Sequence, residues 1–190
     1  MSNDFYEIKT APSSDPIVFS ESSDWCRDLD SSEQDLLESL ISSATDLVES
    51  MTNRVFVQRT FTGYFSYFST SKYEHLPFVQ IKQSPLLEIS SVKINDEVID
   101  PEDYILKRKS SYCRLLFKND YVFDVDMAYA IEIEFTAGYA TVPEAIKTAI
   151  KQVVLFWYEN RGDVDTEGKL QLPLVAKKII KQYRILNTYG

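Results

Sequence analysis

Four carboxylates in the middle of the chain have a spacing that acid–base chemistry would use. Glu132 and Glu134 stand two residues apart, and Asp124 and Asp126 show the same spacing slightly earlier. Two carboxylates held close together can act as a general acid and a general base. Apolar residues alternate with the two glutamates, which is also the pattern of a strand with one buried and one solvated face. The acids therefore allow two interpretations, catalysis and solvation.

Other residue types that carry common chemistry are scarce. His75 is the only histidine, and no Gly-x-Ser-x-Gly motif accompanies it. Cys26 and Cys113 lack the close spacing of zinc or redox ligands, and Asp124 and Asp126 lack the rest of a calcium loop. With five glycines, the sequence contains no phosphate-binding glycine loop. It predicts no catalytic site, cofactor or metal; the alternative is a small acidic hydrolase that uses the four carboxylates, supported by His75.

A basic segment closes the sequence. Residues 169–190 contain four lysines and one arginine but no acid, so their charge is +5 in a chain of net charge −9. On a helical wheel four of these cations share the outer face with two large apolar side chains. The cations are Lys177, Lys178, Lys181 and Arg184, and the apolar residues are Leu174 and Ile185. A cationic face with apolar anchors suits docking on an acidic protein, although cations also complement a helix dipole or contact nucleic acid.

The composition is typical of a compact domain with its own core. The chain has 190 residues, of which 44% are hydrophobic. Its longest apolar run, 153–158, has six residues, against about 20 for a membrane-spanning helix. The first residues lack the pattern of a secretory signal, so we expect synthesis in the cytoplasm. The acidic balance disfavours broad affinity for nucleic acids.

The N-terminal part predicts an arm followed by a helix. Residues 1–30 are rich in serine and aspartate and predict a partly ordered arm with a short helix over 21–27. A longer helix is predicted over 31–53, after a cap at Asp30 or Ser32. Its apolar face has helical spacing. The residues of that face are Leu36, Leu37, Leu40, Ile41, Ala44, Leu47, Val48 and Met51.

The stretch 54–139 predicts a β-rich insertion. β-branched and aromatic residues come there in short runs separated by turn residues. The predicted strands are Val55–Phe61, Gly63–Phe68, Val79–Lys82, Ile89–Ile94, Val98–Ile99, Tyr104–Lys107, Arg114–Phe117 and Ile131–Phe135. Asn95–Glu97 predicts a hairpin turn. Pro77, Pro85 and Pro101 are expected at strand ends or in loops.

Helical periodicity returns after this insertion. Thr141 is the predicted cap of a helix over 141–161, with Pro143 at its first position. At 153–158 the helix is apolar on all sides, so this end must be enclosed by the chain's own core or by another subunit. The candidate subunit-interface residues are Leu155, Trp157 and Tyr158. A final helix with a tail is predicted over 173–187. Its predicted inner face is Val175, Ala176, Ile179, Ile180, Tyr183 and Leu186.

This order of elements predicts an α+β fold in a single domain over residues 1–190. It has three main helices, one N-terminal and two C-terminal. The β-rich insertion lies between the first helix and the second.

Three stretches of the sequence also show an ordered set of motifs. They are Asp30–Ile41 with its continuation to Arg54, then Ser84–Val92, then Phe135–Tyr139 with the following Val142–Ile150 and Tyr158–Arg161. In this order they resemble the head–tail connector (adaptor) family of tailed bacteriophages, in its longer form with a β-rich insertion. The third stretch is the most specific. The serine-rich Ser20–Cys26 departs from the Ala- and Leu-rich short helix of that family.

The resemblance implies a structural protein of the virion, at the head–tail interface, without a catalytic site or cofactor. Such connectors form a ring of about twelve copies between the portal protein and a tail-side completion (stopper) protein. DNA passes through the lumen without sequence-specific binding, and an acidic body would repel the duplex so that it slides. The resemblance also implies that the C-terminal segment docks on the portal. The expected contacts are Leu174, Lys178, Lys181, Arg184 and Ile185.

Overall fold

The computed structural model describes residues 4–12, 14–25, 31–71, 74–109, 112–118, 128–160 and 172–186. Within these residues the fold is α+β, as predicted, with four α-helices and two antiparallel sheets. The chain divides into two compact units. Residues 1–13 and 58–139 form a β unit, and residues 14–57 and 140–190 form a helical unit. The expectation of a single domain stays a prediction.

The β unit contains nine strands among its described residues. They are β1 Phe5–Thr10, β2 Arg59–Phe65, β3 Ser69–Ser71, β4 Glu74–Ile81, β5 Leu86–Ile94, β6 Glu97–Val98, β7 Tyr104–Arg108, β8 Cys113–Phe117 and β9 Ile131–Ala137. Five strands form one sheet in the order β1-β2-β9-β5-β6, and four form a second in the order β3-β4-β8-β7. The edge strands are therefore β1 and β6 in the first sheet, and β3 and β7 in the second.

The centre of the five-stranded sheet is β9, whose side chains alternate as predicted. Ile131, Ile133 and Phe135 are fully buried, and Glu132 and Glu134 between them are partly exposed. β2 and β5 flank this strand on its two sides. If the pairing of β9 shifted by one residue, its buried side chains would face solvent. The alternation therefore fixes the register of the sheet.

The first strand, β1, lies where the sequence predicted only a partly ordered arm. β1 pairs antiparallel with β2, with Tyr6 opposite Gly63. The ring of Tyr6 packs edge-on against Phe65 and Phe135. Its hydroxyl accepts a hydrogen bond from the N–H of Lys82 at 3.2 Å. The other residues of β1 are exposed, so the strand lacks the alternating pattern by which a sequence reveals a strand.

Two predicted features of the strands were wrong. In place of Val55–Phe61 and Gly63–Phe68, a single strand, β2, runs through Gly63. A Cβ at Gly63 would lie 3.0 Å from the ring of Phe65, so glycine leaves room for that ring. Pro77 lies inside β4 instead of at a strand end. Proline is tolerated there because pairing with β3 is irregular at that point and pairing with β8 begins one residue later.

The described residues of the helical unit contain four helices: α1 Phe19–Trp25, α2 Gln34–Thr52, α3 Glu144–Glu159 and α4 Leu174–Tyr183. The last three match the predicted main helices, and α1 matches the predicted short helix, shifted by two residues. α2, α3 and α4 pack on one another, and α1 contacts α2 and α3. Their buried residues form one core. From α2 and α3 it includes Leu37, Ile41, Ala44, Val48, Ile146, Ala149, Ile150, Val153 and Val154.

The starts of the helices differ from the predicted caps. A one-turn 3-10 helix, Ser31–Glu33, precedes α2, so Glu33 is the N-cap of α2 in place of the predicted Asp30 or Ser32. The N-cap of α3 is Pro143, and not Thr141 as predicted, because the helix begins later than its sequence pattern suggests. In α1 the carboxylate of Glu21 accepts a hydrogen bond from the N–H of Val18 at 3.1 Å. This contact is one half of a capping box, in which the glutamate at the third helical position binds the main-chain N–H just before the helix.

Some apolar residues of the helices face outward. Leu36 and Met51 were predicted on the apolar face of α2 and are exposed, because they fall at the margins of the buried stripe. Single exposed apolar side chains of this kind are common on protein surfaces. Among the described residues, none of the helices combines the length and apolar character that crossing a bilayer requires.

Candidate functional site

The helix α4 presents a basic surface with an apolar anchor. Leu174, Lys178 and Lys181 are four and three residues apart, which places them on one side of a helix. All three are exposed, and Leu174 is 69% exposed. The opposite side is buried through Ala176 and Ile180. The prediction that these three side chains face outward is therefore correct.

The segment after α4 differs from the prediction. α4 ends at Tyr183, and Arg184 is extended, with φ −63° and ψ 127°. Beyond that point side chains alternate from one side to the other instead of following a helical wheel. Ile185, predicted to be exposed, is 6% exposed, whereas Leu186, predicted to face inward, is 68% exposed. The expectation of an exposed contact at Ile185 is therefore wrong, and Leu186 is the exposed apolar residue of this segment.

We call the exposed cationic and apolar residues along this segment the α4 face. It consists of Leu174, Lys178, Lys181, Arg184 and Leu186, all of them exposed. Residues 172–186 carry four cations and no acid. Val175, predicted on the inner side, is exposed as well and adds apolar area next to Leu174.

Three hydrogen bonds, the α2–α4 clamp, hold the end of α4 at the end of α2. The N–H of Ile185 donates to the carbonyl oxygen of Thr52 at 2.8 Å, and the side-chain amide of Asn53 donates to the carbonyl oxygen of Ile185 at 2.9 Å. The guanidinium group of Arg54 donates to the carbonyl oxygen of Tyr183 at 2.7 Å. This cation caps the C-terminus of α4 and complements its dipole. The clamp thereby fixes the direction in which the α4 face points within the helical unit.

The local sequence at the end of α2 explains the clamp. Asn53 is left-handed, with φ 54° and ψ 40°, and its N–H bonds to the carbonyl oxygen of Glu49. Asparagine is among the few residues other than glycine that adopt this conformation readily. The buried Thr52 donates its hydroxyl to the carbonyl oxygen of Val48 at 2.7 Å. The sequence predicts the end of the helix at residue 53 but not these contacts, because the partner lies at the other end of the chain.

The apolar end of α3 is enclosed in part by its own unit. Val153–Val154 is fully buried. The candidate subunit-interface residues Leu155, Trp157 and Tyr158 are partly exposed. The hydroxyl of Tyr158 donates to the carboxylate of Glu33 at 2.7 Å, which fixes the orientation of its ring. The role of these three residues between subunits stays a prediction.

The candidate catalytic glutamates are paired with lysines on the outer face of the five-stranded sheet. The ammonium group of Lys93 lies 2.9 Å from a carboxylate oxygen of Glu132. Lys9 makes the corresponding contact with Glu134 at 2.6 Å. Both carboxylates are partly exposed, as expected for the solvated side of a strand.

Of the other residues considered for chemistry, the structure describes His75 and Cys113. His75 is exposed on β4. Asp124 and Asp126 lie outside the described residues, as does Cys26. Cys113 is a buried free thiol, and burial raises its pKa. In the part of the chain that the structure describes, no group of three or more potential ligands could hold a metal ion.

A family model settles what kind of protein this is. The model described as "Head completion protein" matches residues 26–186. The chain belongs to the head completion protein family. The resemblance to phage head–tail connectors is therefore confirmed. This head completion protein is a structural component of the head–tail connection of a virion, and not an enzyme.

Solved structures share the fold of this head completion protein. A chain of "Neck of empty GTA particle computed with C6 symmetry" aligns at a TM-score of 0.75 with 18% identity. Chains of "Virion of native gene transfer agent (GTA) particle" and of "Neck of native GTA particle computed with C12 symmetry" align at 0.72 and 0.69, with 16% and 18% identity. In each pair 98% of both chains is covered. No curated protein matches this chain in sequence.

Proposed function

We propose that this head completion protein forms a ring of about twelve copies between the portal protein and a tail-side completion (stopper) protein, with DNA passing through the lumen. The observation that carries the proposal is the α4 face, an outward cationic and apolar surface held in place by the clamp. The proposal is supported further by the fold shared with chains of neck particles computed with C6 and C12 symmetry.

The α4 face is the surface that docks on the portal protein. Leu174 and Leu186 supply apolar area at its two ends, and Lys178, Lys181 and Arg184 supply charge. Apolar groups provide most of the binding energy of such a contact, while opposite charges speed encounter and select the partner. The surface on the portal protein that receives this face is therefore acidic in its middle, with apolar area at both ends.

The ring itself needs two unlike surfaces on each subunit. A closed ring is built from heterologous contacts, in which one surface of a copy meets a different surface of the next. The partly exposed Leu155, Trp157 and Tyr158 at the end of α3 form one of these surfaces. Aromatic residues are common at such interfaces because they bury a large area at a small cost in conformational entropy.

The lumen of the ring is lined by acidic residues of the helical unit. Residues 14–57 contain ten acids and two arginines, a net charge of −8. Burial raises the pKa of Asp15. The nearby carboxylates of Asp46 and Glu38 raise this pKa further, because their negative charges disfavour the ionised form of Asp15. Like charges repel the phosphate backbone, so DNA passes such a surface without adhering.

Binding to the portal protein encoded in the same genome tests the proposal. The triple variant Lys178→Glu/Lys181→Glu/Arg184→Glu should lose binding, because it reverses the charge of the α4 face. Lys118→Glu, an exposed reversal in the β unit, should bind like the wild type. Circular dichroism verifies that each variant is folded. Wild-type binding by the triple variant would refute docking through α4, and steep salt-dependent DNA binding lost in that variant would indicate a nucleic-acid contact instead.

A further inference from the structure

The edge strand β1 exposes apolar side chains, and the protection of this edge is confined to its C-terminal end, where Lys9 and a bulge lie. In the described part of the chain β1 pairs only with β2. Its Phe5 and Ile8 side chains are 54% and 51% exposed. Soluble proteins usually block such edges with lysines, prolines or bulges. In its pairing with β2 the register of β1 shifts between Ile8 and Thr10, so the stretch Phe5–Ile8 remains regular and open to a further strand.

A shallow groove beside this edge is aromatic and acidic. Phe5, Glu7, Tyr64 and Tyr129 line it. The rings of Phe5 and Tyr64 stack with their centroids 5.8 Å apart. Aromatic faces next to a carboxylate attract a cationic side chain through both its charge and the ring quadrupole. The groove therefore favours a lysine or arginine beside the edge.

The edge strand β7 of the other sheet has the complementary character. Among the described residues β7 pairs only with β8, and its Ile105 is 46% exposed. The three cations of this edge are Lys107, Arg108 and Lys109, all exposed. Residues 104–109 contain no acid, whereas residues 4–10 contain two acids and one lysine. The cations beside the exposed Ile105 on β7 thus match Glu7, the one acid of β1, which lies between the exposed Phe5 and Ile8.

We infer that β1 of one copy pairs with β7 of the next copy, so that main-chain hydrogen bonds join neighbouring subunits. This inference rests on the proposed ring and adds a second subunit contact to that of α3. β1 and β7 have six and five residues, long enough for a strand pair. The other two edges, β3 and β6, have three and two residues.

The pairing of unlike edges is the arrangement that suits a ring. If β1 paired with β1, or β7 with β7, the contact would be isologous and would close as a two-fold dimer. A β1–β7 contact is heterologous and leaves a free β7 and a free β1 at the ends of every open chain of subunits. Addition of an extended strand to an exposed edge is also a common mode of protein recognition.

Cross-linking tests this inference on rings assembled with the portal protein. The variant Ile8→Cys/Ile105→Cys, in a Cys26→Ser background, is treated with a short bismaleimide and run on a denaturing gel. A ladder at multiples of 21.9 kDa is expected. The matched control Ile8→Cys/Val98→Cys places the second thiol on the exposed β6 edge and should give no ladder. A ladder from the control alone, or from neither variant, would overturn the inference.

A substitution separates this inference from the proposed function. Ile8→Lys should weaken ring assembly at least tenfold and leave the circular dichroism spectrum unchanged, because Ile8 is exposed in the single subunit. Val98→Lys, the same change on the β6 edge, should assemble normally. Normal assembly of Ile8→Lys would overturn the β1–β7 contact while the ring remains. If the wild type itself forms no ring with the portal protein, the proposed function fails and the inference fails with it.

Discussion

The side-chain amide of Asn53 donates a hydrogen bond to the main-chain carbonyl oxygen of Ile185, 132 positions further along the chain, at 2.9 Å. It joins the residue that ends α2 to the segment that follows α4. The orientation of the α4 face therefore depends on a polar contact as well as on apolar packing. A hydrogen bond is directional, so it holds the α4 face in the single orientation that docking needs.

Two substitutions at Asn53 separate its hydrogen bond from its left-handed backbone. Asn53→Gly removes the amide but keeps the backbone relaxed, and should cost about 1 kcal/mol of unfolding free energy. Asn53→Ala also forces a Cβ into the left-handed region and should cost about 1 kcal/mol more. Urea denaturation measures both values. The exposed Gln182→Ala is the control and should stay near the wild type. Equal stabilities of all four proteins would show that neither the Asn53 hydrogen bond nor its left-handed backbone affects stability.

Gly138 lies at the exit of β9 with a backbone that favours glycine. Its φ is 131°, and its N–H donates to the carbonyl oxygen of Pro85 at 2.9 Å. Gly138→Ala should lower the unfolding free energy by about 1–3 kcal/mol, because an L side chain is strained at that φ. Ser90→Ala, an exposed change on β5, should change it by less than about 0.5 kcal/mol. A Gly138→Ala variant as stable as the wild type would contradict the strain argument.

Glu21 gives α1 a pH-dependent attachment to α3. Its carboxylate lies 3.5 Å from the ammonium group of Lys147 and 3.7 Å from that of Lys151. Burial alone would raise the pKa of Glu21, but the N–H of Val18 and the two lysines outweigh burial and lower it below 4.5. The contact therefore stabilises the fold above the unfolded-state pKa, and this stability is lost as the pH falls through the lowered pKa.

The variant Glu21→Gln tests that pH dependence. At pH 7 it should be less stable than the wild type by about 0.5 kcal/mol, a small value because the side chain is partly exposed. The difference should shrink as the pH falls below 4.5 and vanish once Glu21 is protonated. Urea denaturation at a series of pH values measures it, with the exposed Glu97→Gln as control. A difference that stays constant down to pH 3 would rule out the carboxylate as its source.

The end of α3 should matter more for the assembled ring than for the single subunit. Leu155→Ser/Trp157→Ser removes apolar area that is partly exposed, while the fully buried Val153–Val154 keeps the core. Ring assembly should fall at least tenfold, by sedimentation velocity, with helical circular dichroism retained. The control Tyr67→Ser removes an exposed aromatic from the β unit and should assemble normally. Unimpaired rings from the double variant would exclude this end of α3 from the subunit interface.

The elements that the sequence predicts well are those with a strong local period. α2, α3, α4 and β9 each bury one side, so their apolar residues repeat at the helical or the strand spacing. β1 has no such repeat, because five of its six residues are exposed and its place is set by pairing with β2. Strand order and register depend on contacts between distant residues, and local patterns do not contain them.

The candidate site was predicted in part for the same reason. Charge and helical spacing identified Leu174, Lys178 and Lys181, which lie on a regular helix. Ile185 was assigned to the wrong side because the helical wheel was continued past the point where α4 ends. That end is stabilised by Asn53 and the neighbouring clamp contacts, which come from a helix far away in sequence. A helix boundary fixed by a tertiary contact has no signal in the adjacent residues.

The central claim, a connector ring on the portal, is tested most directly by sedimentation velocity of the protein alone and mixed with the portal protein from the same genome. A ring-sized complex that contains one copy of this protein for each portal subunit is expected. The triple charge reversal in the α4 face should abolish this complex. A protein that stays monomeric and does not bind the portal at micromolar concentrations would contradict the connector ring.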